Sequence, residues 1–315
     1  MREYPMTFDE FIKQFTTEDQ CREYLYNLRW PEGFVCPKCQ VQTKAWLKAR
    51  NVYMCSLCRY QASVIAGTVF QDTRKPLREW FIAIWWMTTQ KNGASATGLQ
   101  QVLGLKSYET AWTWLHKIRT AMVNPNRAKL TGEVEIDETY IGSEESGGKR
   151  GRGTENKILV VIAVELVAKE KGKKGRNPMG RARMQIISDA SQKSLHSFIK
   201  DNVEFGSTVI TDGWSGYSSL EKIGYTHVIP KKHEAVDADN TMPHVHLLAS
   251  LLKRWLLGTH QGAVQEAHIQ SYLDEFVFRF NRRTAAKRGL LFYRLLENAM
   301  QTSPTTYKDL VDRDF

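Results

Sequence analysis

A chain of 315 residues, 42% of them hydrophobic, holds enough apolar material for two or three compact domains and needs no disulfide scaffold to stay folded. Its 44 Lys and Arg against 34 Asp and Glu leave a net charge of +10, which favours a polyanionic partner without naming one. No apolar run reaches the roughly 18 residues of a membrane span, and MREYPMTFDEF lacks the basic and apolar segments of a signal peptide, so no membrane partner and a cytoplasmic location are expected.

Residues 7–29 carry apolar side chains at helical spacing, with Thr17 placed as an N-cap ahead of Glu18 and Asp19, so a helix is expected there. It leads into CPKC (36–39) and CSLC (55–58), two C-x2-C pairs separated by 15 residues. That spacing lets two turns each present two thiolates to one tetrahedral zinc, and the β-forming residues of GFVCPKC and VYMCSLCRYQA suit turns at the tips of short hairpins. Cys36, Cys39, Cys55 and Cys58 are therefore the expected ligands of a structural Zn2+, which a closed four-thiolate set bars from catalysis. A redox C-x-x-C pair or ordinary buried thiols are the weaker alternatives. Cys21 has no partner at such a spacing and is expected to be a buried thiol. Lys38, Lys44, Lys48, Arg50 and Arg59 make this module a candidate phosphate-contacting surface, against the alternative of a solvated charged face.

Pro76 opens LREWFIAIWWMTTQ, an apolar helix that ends at Asn92-Gly93. ASATGLQQVLGL and KSYETAWTWLHKIRTAM follow as a short helix, a turn at Gly104 and a longer helix capped by Ser107, the layout of a helix-turn-helix. On the second of these helices Tyr108, Thr110, Thr113 and Lys117 are placed to meet a DNA groove, while Ala111, Trp114, Leu115 and Ile118 pack inward. A plain three-helix linker is the alternative.

EVEIDETYIG (133–142) alternates so that Val134, Ile136 and Tyr140 share one strand face and Glu135 and Asp137 the other. KILVVIAVEL and RARMQIIS are two further expected strands, and the low-complexity stretches ESGGKRGRGTEN and KEKGKKGRNPMGR are expected to be exposed loops. SQKSLHSFIKDN then fits a helix, TVIT a short buried strand, WSGYSSLEK a helix, HVIP a strand, and the remainder helices. Three strands, helix, strand, helix, strand, helix is the ribonuclease-H-like order, an α/β sheet whose first and fourth strands are neighbours. Asp137 on the first strand and Asp212 at the end of the fourth would then meet, and two carboxylates can bridge the divalent metal that phosphodiester displacement uses. Taken singly, Asp212-Gly213 is a plain turn and Asp137 a solvated strand residue; the strand order is what joins them.

On these residues the chain resembles the DDE transposases of bacterial insertion sequences that pair an N-terminal zinc ribbon with an ISXO-type transposase domain. The resemblance spans nearly the whole chain and rests on the ribbon, EIDETYIG, TDGWSGY, SLLKRWLLGTHQGAV from Ser250, and YLDEFVFRFNRR from Tyr272 to Arg283. It implies cleavage at inverted-repeat ends and transfer into target DNA, with double-stranded DNA as partner, a homo-oligomer in the synaptic complex, and a place near the bacterial nucleoid. It also implies Asp137 and Asp212 as ligands of Mg2+ or Mn2+.

The family's third ligand, usually Glu, stands seven residues before a basic one, which leads from Lys253 back to His246. Helical geometry agrees, since His246, Ser250 and Lys253 fall at i, i+4 and i+7, while His244 shares the face of Leu248, Leu251 and Trp255. His246 and Pro243 stand where the family commonly has Glu and Asn. An imidazole there leaves two negative charges at the site and favours Mn2+ relative to Mg2+. It also keeps open, as the alternative function, a catalytically inactive DNA-binding descendant or regulator. Glu275 is the competing third acid, although Arg279 and Arg282 at i+4 and i+7 suit a helix-surface ion pair. Lys253 joins the candidate catalytic residues, and Lys117, Arg254, Arg279, Arg282 and Arg283 are candidate DNA contacts, against a solvated basic face. No nucleophile elbow or Walker loop is present, so no nucleotide cofactor is expected. The expected domains are a helix and zinc ribbon (1–70), a helical DNA-binding region (71–128), a ribonuclease-H-like domain (129–300) and a tail (301–315).

Overall fold

Thr17 divides the first helical stretch in two: α1 (Phe8–Gln14) ends before it and α2 (Glu18–Arg29) begins after it. The single helix expected over this stretch is interrupted because Thr17 is extended (φ −122°, ψ 157°). Its hydroxyl accepts the Gln20 N–H while the Gln20 side chain accepts the Thr17 N–H, a capping box that fixes the break. These and the following elements come from a computed structural model that describes residues 4–47, 49–90, 92–142, 157–168, 178–231, 240–261 and 265–311. Lys48 and most of the two basic low-complexity stretches lie outside the described residues.

A three-stranded antiparallel sheet follows, β1 (Ala45–Leu47), β2 (Val52–Cys55) and β3 (Gln61–Ser63), with β2 central. Next come α3 (Leu77–Thr89), α4 (Ala96–Leu103) and α5 (Tyr108–Thr120). Pro76 leaves α3 without a side-chain cap of its own, and the Glu18 carboxylate of α2 serves instead, accepting the N–H groups of Leu77 and Arg78 at 3.0 and 2.9 Å. Between α4 and α5, Gly104 adopts the left-handed conformation (φ 61°) that ends a helix, as the sequence leads one to expect. Trp80 of α3 stacks on Trp114 of α5 with ring centroids 4.0 Å apart.

The chain then builds β4 (Glu133–Ile141), β5 (Ile158–Leu166), β6 (Met179–Ile186), α6 (Gln192–Asn202), β7 (Thr208–Ile210), β8 (Thr226–Val228), α7 (Pro243–His260) and α8 (Glu266–Phe280). Their sheet runs β6-β5-β4-β7-β8; β4, β5 and β6 are antiparallel neighbours, and β7 and β8 run parallel to β4. Even-numbered β4 residues Val134 and Ile136 pack with Leu195, Phe198 and Ile199 of α6 on one face. The opposite face, carrying Val160, Ile162 and Val164 of β5, is covered by Leu248, Leu252 and Leu256 of α7 and by Leu273, Phe276 and Val277 of α8. Burial on both faces is why β5 reads as an unbroken apolar run. The outer edge of β6 is closed by α8 and the turn after it, where Gln270 and Asn281 accept the N–H groups of Ile186 and Ala182.

The helix expected over WSGYSSLEK is replaced by two 3₁₀ turns, Ser215–Tyr217 and Leu220–Ile223, because Ser219 is left-handed (φ 64°) and stops helical propagation. Gly216 brings the backbone so near Ala190 that a Cβ would lie 2.4 Å from its carbonyl oxygen.

Two last helices, α9 (Gly289–Gln301) and α10 (Tyr307–Val311), close the chain. Contacts divide it into one unit of Met1–Asn124 with Thr284–Phe315 and a second of Pro125–Arg283. The sequence-based division at residue 300 differs from this: α9 packs on α2 and α3, where Phe292 joins Phe11, Phe15, Phe81 and Trp85 in an aromatic cluster. α10 lies on α5. Among the described residues no helix is long and apolar enough to cross a membrane.

Candidate metal centres

Each cysteine pair sits in a turn closed by a backbone bond, Gln40 N–H to Cys36 O at 2.8 Å and Arg59 N–H to Cys55 O at 3.2 Å. Gln40 (φ 58°) and Arg59 (φ 60°) are left-handed, which turns each chain back so that both sulfurs of its pair face one point. Cys36 and Cys55 are buried and Cys39 and Cys58 half-buried, and the four sulfurs all lie within 4.8 Å of one another. Two of the separations are 3.6 Å (Cys36 to Cys58) and 3.9 Å (Cys39 to Cys55). Zinc held by four sulfurs at about 2.3 Å requires sulfurs about 3.8 Å apart, so the donor set fits that ion. Lys38, Lys44, Arg50 and Arg59 are exposed around this module, and Arg59 lies over the Trp46 ring. Cys21 is fully buried elsewhere, and burial with the nearby Glu18 charge pushes its thiol up to about 12.

The second constellation follows from sheet register. Glu135 of β4 pairs with Ile210, the last residue of the parallel strand β7. Asp137 and Asp212 each lie two residues further on, so side-by-side strands carry both carboxylates past the same edge of the pairing. Asp212 is exposed and its Oδ1 accepts the Trp214 N–H at 2.9 Å, a turn that Gly213 permits with φ +85°. Trp214 is half-exposed, with its indole N–H fixed on Ala190 O.

His246 Nε2 lies 3.1 Å from Asp137 Oδ2, while its Nδ1 donates to Asn240 Oδ1 at 2.7 Å. With the ring proton committed to Asn240, a neutral His246 presents its Nε2 lone pair to a carboxylate, two acceptors aimed at one another. A cation between them, a proton or a metal ion, relieves that arrangement. Burial pushes the Asp137 carboxyl above its ordinary range; the Glu138 N–H and His246 oppose the shift, and the Asp212 charge adds to it. Two carboxylates in mutual repulsion beside an imidazole nitrogen are a donor set suited to a divalent cation. Among the described residues, the four cysteines are the group of three or more such side chains whose ligand atoms converge closely enough for a metal ion, whereas of Asp137, Asp212 and His246 only Asp137 and His246 are in direct contact.

Other expected positions fall differently. Glu275 is fully buried and bound to Arg279 Nε at 2.9 Å, so the i, i+4 pair exists in the core and not on the helix surface. That same bond leaves Arg279 only 13% exposed, poorly placed for DNA. Arg282 lies over the Phe278 ring, and Arg283 lies over Phe280 while donating to the Gly180 and Met179 carbonyls. Lys253 and Arg254 are exposed on α7, on the side of His246 and Ser250. Lys117 is half-buried, and burial lowers its pKa against the pull of Asp72 and of Asp309 from α10. Tyr108 is exposed, and Ala111, Trp114, Leu115 and Ile118 are buried.

Three partners escaped the sequence reading. Asn240 orients His246 from a loop without any motif. Tyr217 donates its hydroxyl to Glu138, whose carboxyl is pushed up to about 7 by burial, with Asp137 and Asp212 adding to the rise. Glu135, buried beneath the site, receives the N-terminus of α7. Only the last left a signal, since strand alternation puts Glu135 on the face of Asp137.

Residues 129–281 match the ISXO2-like transposase domain and residues 16–61 the transposase zinc-ribbon domain. A protein of Halobacterium salinarum, described as an uncharacterized protein in transposable element ISH50, is 28% identical over 85% of this chain and 92% of its own length.

Proposed function

As a chain that belongs to the insertion-sequence transposases joining a zinc ribbon to an ISXO2-like transposase domain, this protein is, we propose, a divalent-metal-dependent enzyme that cuts DNA at the ends of its element and joins them to target DNA. The observation that carries the reading is the placement of Asp137 and Asp212 at matching positions past the β4–β7 pairing, with His246 Nε2 3.1 Å from Asp137. The strand order supports a ribonuclease-H-like framework, in which these three residues hold Mg2+ or Mn2+. A divalent cation held there would supply the positive charge that stabilises the attacking and leaving oxygens of an in-line phosphodiester displacement.

The chain's own groups do the rest. Asp137 and His246 would hold the cation, and Asn240 accepts the His246 Nδ1 proton, which leaves Nε2 available as a ligand. Lys253 and Arg254, exposed on the same helix, hold the phosphate beside the scissile bond. The ribbon, with its exposed Lys and Arg, and the α4–α5 helix-turn-helix hold the DNA end. Two ends brought together require more than one copy, so the working form is a homo-oligomer. The relative's description as part of a transposable element supports the same placement.

The test is cleavage of DNA carrying the element's inverted repeats, with Mg2+ or Mn2+. Asp137→Asn and Asp212→Asn should each lower the rate on the order of a thousandfold, the consequence of losing about 4 kcal/mol of transition-state stabilisation. Undiminished cleavage by both variants overturns the assignment.

A further inference from the structure

We infer that Glu135 is the positioning residue of the metal site, fixing the distance between Asp137 and His246 by clamping the N-terminus of α7 to β4. The inference rests on the reading of Asp137 and His246 as a ligand pair, and it names what sets their geometry. Glu135 is on the strand face of Asp137, with a side chain only 4% exposed. Both carboxylate oxygens are engaged. Oε2 accepts the backbone N–H groups of His244 and Val245, each at 2.9 Å, and Oε1 accepts from His244 Nδ1 at 2.6 Å.

Helix α7 needs this partner. Pro243 at its start has no N–H, and Met242 supplies no side-chain cap, so the first backbone N–H groups that the helix itself does not provide with an acceptor are those of His244 and Val245. Their acceptor comes from a strand residue 109 and 110 positions earlier, respectively. A carboxylate at a helix N-terminus is further favoured by the helix dipole, more so where water is excluded.

Register gives the clamp its leverage. Glu135 meets His244, and two residues further along both elements Asp137 meets His246; each pair is separated by 109 positions. The two contacts join the same strand to the first turn of the same helix from different sides of its axis, one buried and closed, the other open to solvent. His246 has a 45% exposed side chain and meets Asp137 through a single bond, so that outer contact fixes little by itself. Leu248, Leu252 and Leu256 seat the helix on the sheet, the buried Glu135 contact fixes where its first turn stands on β4, and the outer contact inherits that position. Removing ligand-orienting partners of this kind costs metal sites about 10- to 100-fold in affinity.

The full-length protein tests this with two readouts in parallel, Mn2+ affinity by electron paramagnetic resonance and the His246 ring nitrogen shifts by NMR without added Mn2+. Glu135→Gln can keep the clamp, its carbonyl accepting the two amides and its NH2 donating to the other tautomer of His244. It should bind Mn2+ within about threefold of the parent and leave the His246 shifts in place, whereas Glu135→Ala should lose at least about tenfold and shift His246 toward its position in Asp137→Asn. If Glu135→Ala does not fold, Glu135→Asp draws the carboxylate back by one methylene and should show the same two losses. A folded Glu135→Ala or Glu135→Asp with unchanged His246 shifts overturns the inference, as does a Glu135→Gln defect equal to that of Ala. If the parent takes up no Mn2+ through Asp137, the metal reading fails by itself, and the NMR comparison still decides whether Glu135 sets the pair.

Discussion

Neutralising Glu165 should remove a pH-dependent part of the stability of the second unit while leaving the proposed metal site alone. Glu165 stands at the irregular end of β5, where the pairing with β6 shifts register between Val164 and Leu166. Its carboxylate accepts from Arg181 Nε (3.0 Å) and Nη2 (2.7 Å), from the Arg181 backbone (3.3 Å) and from Thr131 N–H (2.9 Å), tying the approach to β4 to β6. Burial pushes the carboxyl up, but the Arg181 and Thr131 bonds and the Arg181 charge outweigh it and bring it from 4.5 to about 2. At about 1.36 kcal/mol per pH unit this corresponds to an upper bound of about 3.4 kcal/mol. Arg181 is 35% exposed, and solvent screening reduces the figure to about 1.5 kcal/mol. A depressed folded pKa gives stability that is present above the unfolded value near 4.5 and is lost as pH falls toward 2. Hydrogen exchange of the β5 and β6 amides at a series of pH values reads this locally, without requiring both units to unfold together. The parent should lose protection between about pH 5 and 2, and Glu165→Gln should begin about 1.5 kcal/mol lower and respond less to acid. An identical acid response in the two proteins would refute the reasoning.

Cys36→Ser should release zinc and disorder the ribbon, lowering affinity for the DNA end, because a four-thiolate site supplies much of the folding energy of so small a sheet. Mn2+ affinity at Asp137, measured alongside, should stay as in the parent; joint loss would show that the two centres are not separate. Arg279→Met should destabilise the second unit by about 3 kcal/mol in urea unfolding, since it strips the fully buried Glu275 of its 2.9 Å partner. Glu275→Gln should leave Mn2+ binding intact, and abolished binding would restore Glu275 as a ligand.

What the sequence disclosed follows the range of the interactions that fix each feature. The cysteine turns are local: two thiols three residues apart and a left-handed residue after them suffice, and the spacing alone exposed the ribbon. Periodicity equally marked β4, β5 and the helices, because each buries a face with a regular repeat. Thr17 was visible as a cap, yet not as the point where a helix stops, since helical spacing continues on both sides of it. Asp137 and Asp212 were legible through strand order, which sets register without side-chain detail. Glu275 showed its i+4 partner but not its burial, because one sequence cannot say which face of α8 meets β6. Asn240 and Tyr217 were hidden for the same reason: each reaches its partner across a loop or a core, and nothing in the local pattern encodes that meeting.

The first unit is assembled from both ends of the chain, with the second unit lying between them in sequence. During synthesis this sets an order of events. Residues of the sheet, α7 and α8 are contiguous and can find one another as they emerge, while the aromatic face of α1 and α3 has to wait for Phe292. A message broken after α8 would therefore yield a sound sheet attached to an uncovered, sticky helical face. Of the two units, the one bearing the ribbon is the one that a frameshift late in the reading frame would spoil.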